Sequence, residues 1–204
     1  MKIDHRALAV SRETVDRLAI LVDLLQRWQS RINLIGPSTV DDIWDRHIGD
    51  SLHVHRAQPA PIHWADLGSG AGFPGLVTAI CLAKQGAGHV DLIESNSKKA
   101  AFLRAAIHAT GARARVHPER IEIASTKIAK PDAISARALA SLTDLLHMTE
   151  SWLTNGTVAY FHKGRDYRNE VEAARGAWHF HLVEHKSDRG DESVLLEISG
   201  LRRR

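Results

Sequence analysis

The chain has 204 residues, of which 44% are hydrophobic and 25% charged, enough to bury one substantial core and a small additional layer. Its formal net charge of +3 permits a polyanionic partner without requiring one, and its single cysteine, Cys81, excludes an internal disulfide and a cysteine-based zinc cluster. Residues 1–10 carry charges where a signal peptide would be apolar, and no apolar run approaches the length of a membrane span. We therefore expect a soluble cytoplasmic protein that does not contact membranes.

Two amphipathic patterns predict a helical layer at the beginning of the chain. Apolar residues recur at spacings of three and four over 15–32, and Ser11 is placed to cap the first turn. A shorter pattern of the same kind covers 40–52. We assign residues 1–58 to an N-terminal helical extension that packs on a core formed by residues 59–204.

The second region alternates short apolar runs with longer helical patterns, which is typical of a parallel sheet covered on both faces. The first five predicted strands span residues 62–67, 89–95, 112–117, 132–138 and 157–162. Two further strands, at 180–186 and 193–199, are separated only by SDRGDE, too short for a helical crossover, so they should form an antiparallel hairpin. The predicted fold class is α/β, with a mostly parallel, Rossmann-like sheet.

A glycine loop follows the first predicted strand and opens a helix. Its segment GAGFPG at 70–75 fits the dinucleotide pattern G-x-G-x-x-G through Gly70 and Gly72. However, the Asp66 carboxylate would repel a pyrophosphate and attract a cation, and Pro74 lacks a backbone N–H that an anion would use. S-adenosylmethionine (AdoMet), a cationic adenosine compound without phosphate, fits better. The reversed final strand agrees, since AdoMet-dependent methyltransferases have one. An NAD(P)-dependent oxidoreductase remains the alternative.

Residues after the second and third predicted strands extend this cofactor site. Glu94 closes the second strand, where its carboxylate can accept both ribose hydroxyls. Ile121 and Glu122 follow the third strand, where they offer an apolar face and an acceptor to the adenine ring. A plain solvated helix acid explains Glu122 equally well.

Five blocks of the sequence, taken together, resemble the RsmG family, also called GidB, of bacterial small-subunit ribosomal RNA methyltransferases. In chain order they are RHIGDSL (46–52), DLGSGAGFPG (66–75), LIESNSKKAAFL (92–103), ARALASL (136–142) and HKG (162–164). The resemblance covers nearly the whole chain. It implies methylation at N7 of a guanine in the 530 loop of 16S rRNA, with AdoMet as donor and 16S rRNA or the small ribosomal subunit as partner. The residues it places at the cofactor are Gly68, Phe73, Ile121, Glu122 and Arg137.

The chemistry of the sequence agrees with this reaction. Guanine N7 has a free lone pair and no proton, so methylation there needs placement and desolvation more than a general base, and we expect no catalytic side chain. Cys81 lies in the apolar stretch VTAICLA and is interpreted as a core residue, not a nucleophile. The Asn/Asp-Pro-Pro-aromatic motif of amine methylation is missing after the fourth strand, which leaves ring-nitrogen or O-methylation.

Basic residues near the predicted mouth of the sheet are candidates for holding RNA. We predict that substrate is positioned by Arg46, His47, Lys163 and Arg165. The alternative for Lys163 and Arg165 is solvated surface charge. A helical ion pair with Asp50 would explain Arg46 equally well. Arg137 could meet the methionine carboxylate or a substrate phosphate, and the family resemblance favours the cofactor. Residues 202–204 would add an electrostatic hold or be disordered.

The positions of the histidines in the sequence do not suggest a metal site. The neighbouring pairs at 53/55 and 179/181 have no evident third ligand, so no metal is expected. No heptad pattern demands a dimer, and we expect a monomer. A non-catalytic rRNA-binding assembly factor remains a further alternative, since the sequence shows a basic tail and no catalytic dyad.

Overall fold

The computed structural model describes residues 8–60, 62–186 and 193–204. Among these residues, seven strands form one sheet: β1 His63–Leu67, β2 His89–Ile93, β3 Ala114–His117, β4 Ala133–Arg137, β5 Val158–Lys163, β6 Trp178–Lys186 and β7 Val194–Arg203. The order is β3-β2-β1-β4-β5-β7-β6, with β1 to β5 parallel and β7 antiparallel to both its neighbours. This confirms the predicted fold class, although the segment 187–192 between the last two strands lies outside the described residues.

Helices cover both faces of this sheet. The α-helices are α1 Arg12–Gln29, α2 Asp50–Ala57, α3 Gly75–Gln85, α4 Ser97–Thr110, α5 Ile121–Ala124, α6 Leu142–Met148, α7 Glu150–Leu153 and α8 Tyr167–Arg175. A 3₁₀ turn at Pro37–Thr39 and a π-helical segment at Ile43–Gly49 lie between α1 and α2. Within the described ranges, none of these helices is both long and apolar enough to cross a membrane.

The first helix confirms the predicted start and corrects the predicted end. The Thr14 backbone N–H donates to Ser11 Oγ at 3.2 Å, which is the expected N-cap. The helix stops at Gln29 because the Gln29 side-chain amide turns to the chain beyond it. Its Oε1 accepts from the N–H groups of Leu34 and Ile35, and its Nε2 donates to the Ile35 carbonyl. These bonds favour a turn over a further helical turn.

The second predicted helix is divided into two segments. Its first part is π-helical, and the wider turn buries Ile43, His47 and Ile48 on one side. The ordinary α-helix, α2, begins only at Asp50. The pattern of apolar residues predicted helical structure here but could not show the change of helical type.

The core has one part on each face of the sheet. On one face, α1, α3 and α4 pack over Trp64, and buried residues of these helices include Leu21, Ile80 and Phe102. On the other face, α6 and α8 pack over strand residues such as Leu67. The N-terminal extension therefore shares its apolar core with the sheet, and its boundary at residue 58 stays a prediction.

The basic tail is part of the sheet. Leu201 is buried, and β7 continues past it to pair Arg203 with Trp178 of β6. The Arg203 guanidinium also makes two hydrogen bonds of 2.6 Å to the Glu150 carboxylate. Disorder of residues 202–204 is therefore the wrong alternative, because pairing with β6 resumes at Arg202 and Arg203 after a register shift at Gly200 and Leu201.

Candidate functional site

The predicted site residues lie where the parallel strands end, at the carboxyl edge of the sheet. The glycine loop follows β1, Glu94 follows β2, α5 follows β3, and Arg137 and Lys163 are the last residues of β4 and β5. In open parallel sheets this edge is where ligands bind. The topology therefore brings together residues that are far apart in the sequence.

Two glycines of the loop face different surroundings: Gly72 is packed against other residues, and Gly70 faces open space. Gly72 has φ +89°, and a Cβ there would lie 2.8 Å from Leu76 Cβ, so a side chain is excluded. Gly70 has φ +55°, but a Cβ there would meet only the Gly68 carbonyl oxygen at 3.7 Å. The backbone at Gly70 thus faces space that the protein does not fill, which fits the close approach of a cofactor.

Asp66 lies beneath this loop. Its carboxylate is buried, and its Oδ1 accepts a 2.6 Å hydrogen bond from Ser135 Oγ. Burial raises the pKa of Asp66 to about 6, against the opposing effect of hydrogen bonds from Ser135 and Ser69. A Cβ on Gly75 would come within 2.6 Å of Asp66 Oδ2, so α3 packs directly on this carboxylate. The structure assigns Asp66 a role in joining β1, β4 and α3, and contact with a cation stays a prediction.

Glu94 reaches from the end of β2 to the loop. Its Oε2 accepts from the Gly70 N–H at 2.8 Å, and its Oε1 accepts from the Asn96 N–H at 2.7 Å. Each carboxylate oxygen keeps a second lone pair, so both can still accept a ribose hydroxyl. The backbone bonds fix the carboxylate beside Gly70, where the sequence predicts the ribose.

Ile121 and Glu122 occupy the first turn of α5. Ile121 is 8% exposed and belongs to the same apolar cluster as Ile93 and Ala136, whereas Glu122 is exposed. The apolar neighbour predicted for adenine is therefore mostly core, with a small accessible part. Both interpretations of Glu122, adenine acceptor or solvated acid, stay open.

Arg137 connects the sheet to the N-terminal layer. Its Nη2 donates to the Arg46 carbonyl at 3.0 Å and lies 3.4 Å from Asp50 Oδ2. Asp50 thus forms an ion pair with an arginine of the sheet, in addition to any role within its own helix. The next residue, Ala138, has φ +51°, a conformation that turns the chain sharply after β4.

A cavity of about 330 Å³ lies beside this connection. Its lining includes Arg46, Asp50, Arg137, Leu139, His162 and Lys163. Leu139 also covers the glycine loop, because its Cδ1 lies 2.7 Å from where a Cβ on Gly68 would be. The cavity and the glycine loop are therefore neighbours that share one side chain.

His47 and Phe73 are buried against each other. Their rings stack with centroids 4.9 Å apart, and His47 Nε2 lies 2.9 Å from Thr39 Oγ1. His47 is only 9% exposed. The structure therefore places this predicted RNA contact inside the protein, where it supports the glycine loop through Phe73.

Lys163 is also an internal residue. Its Nζ donates to the Ala140 carbonyl and to Glu170 Oε2, both at 2.7 Å, and its side chain is 6% exposed. Glu170 Oε2 accepts in addition from the Leu142 N–H at 2.6 Å. The predicted grip on the RNA backbone does not fit these bonds, because the ammonium is already engaged in joining β5, α6 and α8. Arg165, by contrast, is exposed.

Three residues outside the predicted set also shape the site through contacts between elements: Ser135, Leu139 and Glu170. Ser135 lies opposite Asp66 in the pairing of β1 with β4, a register that no local pattern reveals. Leu139 lies in the block ARALASL, one of the five that resemble the family, and this is the feature of the sequence that could have pointed to it. The interpretation of Cys81 is confirmed: it is 5% exposed within α3, and burial raises its pKa to about 12.

Comparison with known proteins gives a family match over most of the chain. The model of the family GidB, described as rRNA small subunit methyltransferase G, matches residues 14–192. The chain is 53% identical over 202 residues to Ribosomal RNA small subunit methyltransferase G of Sinorhizobium fredii, a match covering 98% of this chain and 94% of the relative. It is 54% identical over 200 residues to the protein of that name from Rhizobium meliloti, covering 97% and 94%.

Solved structures agree on the fold. The ribosomal protein L11 methylase from Lactobacillus delbrueckii subsp. bulgaricus matches with a TM-score of 0.56 and 22% sequence identity. The match covers 72% of this chain and 74% of that one. At this identity the likeness concerns the arrangement of the sheet and helices alone.

Proposed function

The chain belongs to the GidB family, rRNA small subunit methyltransferase G, and is an AdoMet-dependent rRNA methyltransferase; we propose that it methylates N7 of a guanine in the 530 loop of 16S rRNA. The observation that supports the proposal most is the cavity of about 330 Å³ that shares Leu139 with the glycine loop. A base held in this cavity would lie next to a cofactor held at Gly70. Membership of a methyltransferase family decides against the NAD(P)-dependent oxidoreductase.

The residues around the glycine loop fit the proposed cofactor. The open space at Gly70 admits a ligand against the backbone, and Glu94 offers acceptors beside it. We propose that Asp66, Gly68, Gly70, Gly72, Phe73, Glu94, Ile121, Glu122 and Arg137 form its site. AdoMet, when bound, supplies an electrophilic methyl group on a sulfonium. The buried Asp66 acts there through α3 and β4, which it holds in place.

The side chains of the cavity position the base. Guanine N7 attacks with a free lone pair, so no side chain has to remove a proton. Arg137 is fixed by Asp50 and by the Arg46 carbonyl, which holds one wall of the cavity at a set distance from the loop. Positioning of this kind lowers the barrier by removing motion that the free reactants would have.

The RNA backbone is held, in this proposal, by the exposed arginines Arg46 and Arg165. His47 contributes indirectly, because its ring supports Phe73. Lys163 contributes by anchoring the end of β5, which forms another wall of the cavity. We also propose that the protein acts as a monomer in the cytoplasm, where small ribosomal subunits are found.

The test is methyl transfer to small ribosomal subunits from cells that lack this gene. The protein is incubated with methyl-labelled AdoMet, the RNA is digested, and labelled nucleosides are identified and mapped. The proposal expects 7-methylguanosine confined to the 530 loop. Label at another position would overturn the proposed base, and RNA binding without label would favour the non-catalytic assembly factor. Separate reactions with naked 16S rRNA show which form of the substrate is used.

A further inference from the structure

Two histidines and an aspartate meet on β1 and β2, away from the glycine loop. His63 and His89 are the first residues of their strands and lie opposite each other in the parallel register. Asp91, two residues after His89, has its side chain on the same face of the sheet. One potential ligand atom from each residue lies within 4.8 Å of the others.

The distances within this group suit a metal ion. Asp91 Oδ2 lies 2.8 Å from His63 Nε2 and 3.9 Å from His89 Nε2. A tetrahedral zinc ion with bonds of about 2.0–2.1 Å places its ligand atoms roughly 3.3 Å apart. The first distance is shorter than this value and the second is longer. Because the His63 and His89 rings stack nearly parallel, His89 has to turn out of the stack before its Nε2 can share an ion with His63 and Asp91.

The surroundings hold the carboxylate and leave one imidazole movable. His117 Nε2 lies 2.8 Å from Asp91 Oδ1, which fixes the oxygen that faces away from His63. The backbone N–H of His63 donates to Asp132 Oδ2 at 3.0 Å, which holds the beginning of β1. His89 stacks on His63 with centroids 4.2 Å apart, but its side chain is 52% exposed and can turn out of the stack.

We propose that His63, His89 and Asp91 bind a divalent transition metal ion, with zinc favoured by the ligand set of two imidazoles and one carboxylate. Water would complete the coordination on the exposed side of His89. The hydrogen bond from His117 is the kind of outer contact that orients a ligating carboxylate. These ligands are brought together by strand register, so histidines that are neighbours in the chain do not reveal them.

The metal would stabilise the pairing of β1 with β2 and take no part in methyl transfer. His63 precedes Leu67 by four residues, and at about 3.3 Å per residue this places it roughly 13 Å from the carboxyl end of β1. An ion bound there links the amino ends of two adjacent strands. Because it binds the folded state, it should raise the melting temperature.

The experiment uses the full chain, freed of metal with a chelator, and zinc alone as the probe. Zinc binding is measured by competition with a chromophoric chelator, and the melting temperature is measured with and without zinc. The wild type is expected to bind one zinc ion with higher affinity than any further zinc ions, and its melting temperature should rise when this ion is bound. His89→Ala should weaken that site at least tenfold and remove the zinc-dependent shift. His179→Ala, which removes an exposed histidine of β6, is the matched control and should behave as the wild type.

His89 is chosen because its exposed side chain can be removed without unfolding the sheet. Binding of AdoMet to His89→Ala should equal that of the wild type, which separates this proposal from the proposed function. A cobalt(II) complex of the wild type with strong tetrahedral absorption bands, absent from His89→Ala, would support the ligand set. Equal zinc affinity of His89→Ala and wild type, or no zinc-dependent rise in the wild-type melting temperature, would overturn the proposal.

Discussion

Replacing Lys163 with methionine tests whether its ammonium stabilises the fold or contacts RNA phosphate. Methionine keeps the apolar stem but removes the ammonium, so the Ala140 carbonyl and the Glu170 carboxylate each lose a donor at 2.7 Å. Hydrogen bonds to charged groups contribute roughly 1.5–3 kcal/mol each to stability. Glu170 is 30% exposed, so water replaces part of the loss. We expect the free energy of unfolding to fall by about 2–4 kcal/mol.

Urea denaturation, followed by tryptophan fluorescence, measures this loss as a lower midpoint with an unchanged slope. A double-mutant cycle with Glu170→Gln should give a coupling free energy of about 1–3 kcal/mol, because the two side chains form one ion pair. Arg165→Met is the matched control. It removes an exposed cation two residues away and should change stability by less than about 0.5 kcal/mol.

The opposite pattern would refute the internal role of Lys163. If Lys163→Met unfolds at the wild-type urea concentration yet binds 16S rRNA more weakly, the lysine contacts phosphate, as the sequence alone suggested. If it is destabilised and its folded fraction binds RNA normally at low temperature, the contacts to Ala140 and Glu170 explain its position.

Three further changes test the glycine loop. Burial raises the pKa of Asp66 to about 6, so the folded state favours the protonated carboxyl and the free energy of unfolding falls as the pH rises from about 4 to 6. Asp66→Asn should remove ~3 kcal/mol of this fall, measured by urea denaturation across the range. The same pH dependence in Asp66→Asn and wild type would contradict the burial of the carboxylate. Gly75→Ala would press a Cβ against the Asp66 side chain and should lower the free energy of unfolding by about 1–3 kcal/mol. A wild-type urea midpoint would contradict this contact. Glu94→Ala removes the acceptor of the Gly70 N–H and should weaken AdoMet binding at least tenfold in calorimetry, with unchanged affinity counting against the ribose assignment.

Much of the sheet could be predicted because its strands are short apolar runs bounded by turns. The five parallel strands, the antiparallel pair and the N-cap at Ser11 each follow from a local pattern that the structure confirms. The end of α1 could not be predicted, because it depends on the Gln29 amide meeting backbone groups of the following turn. The π-helical segment was also missed, since its apolar spacing is compatible with an ordinary helix.

The positions of site residues were predictable where they follow from the ends of strands. They were less predictable where they depend on which side chain of another element lies opposite. The glycine loop and Glu94 lie together as their strand-end positions indicated. The internal contacts of Lys163 and His47 were not predictable, because a basic residue in a sequence does not show whether a carboxylate or an aromatic ring faces it; their contact with RNA stays a prediction. In both cases the partner, Glu170 or Phe73, comes from another element of the fold.

The position of β7 has a consequence for how the protein is made. This strand comes after β6 in the chain but lies between β5 and β6 in the sheet. During translation, β5 and β6 are therefore synthesised with unpaired edges, and each waits for the same later segment. Exposed strand edges pair readily with other chains, so a stall before Val194 would leave an aggregation-prone intermediate. A protein that modifies ribosomal RNA thus completes its own sheet only after a ribosome has read through Arg203.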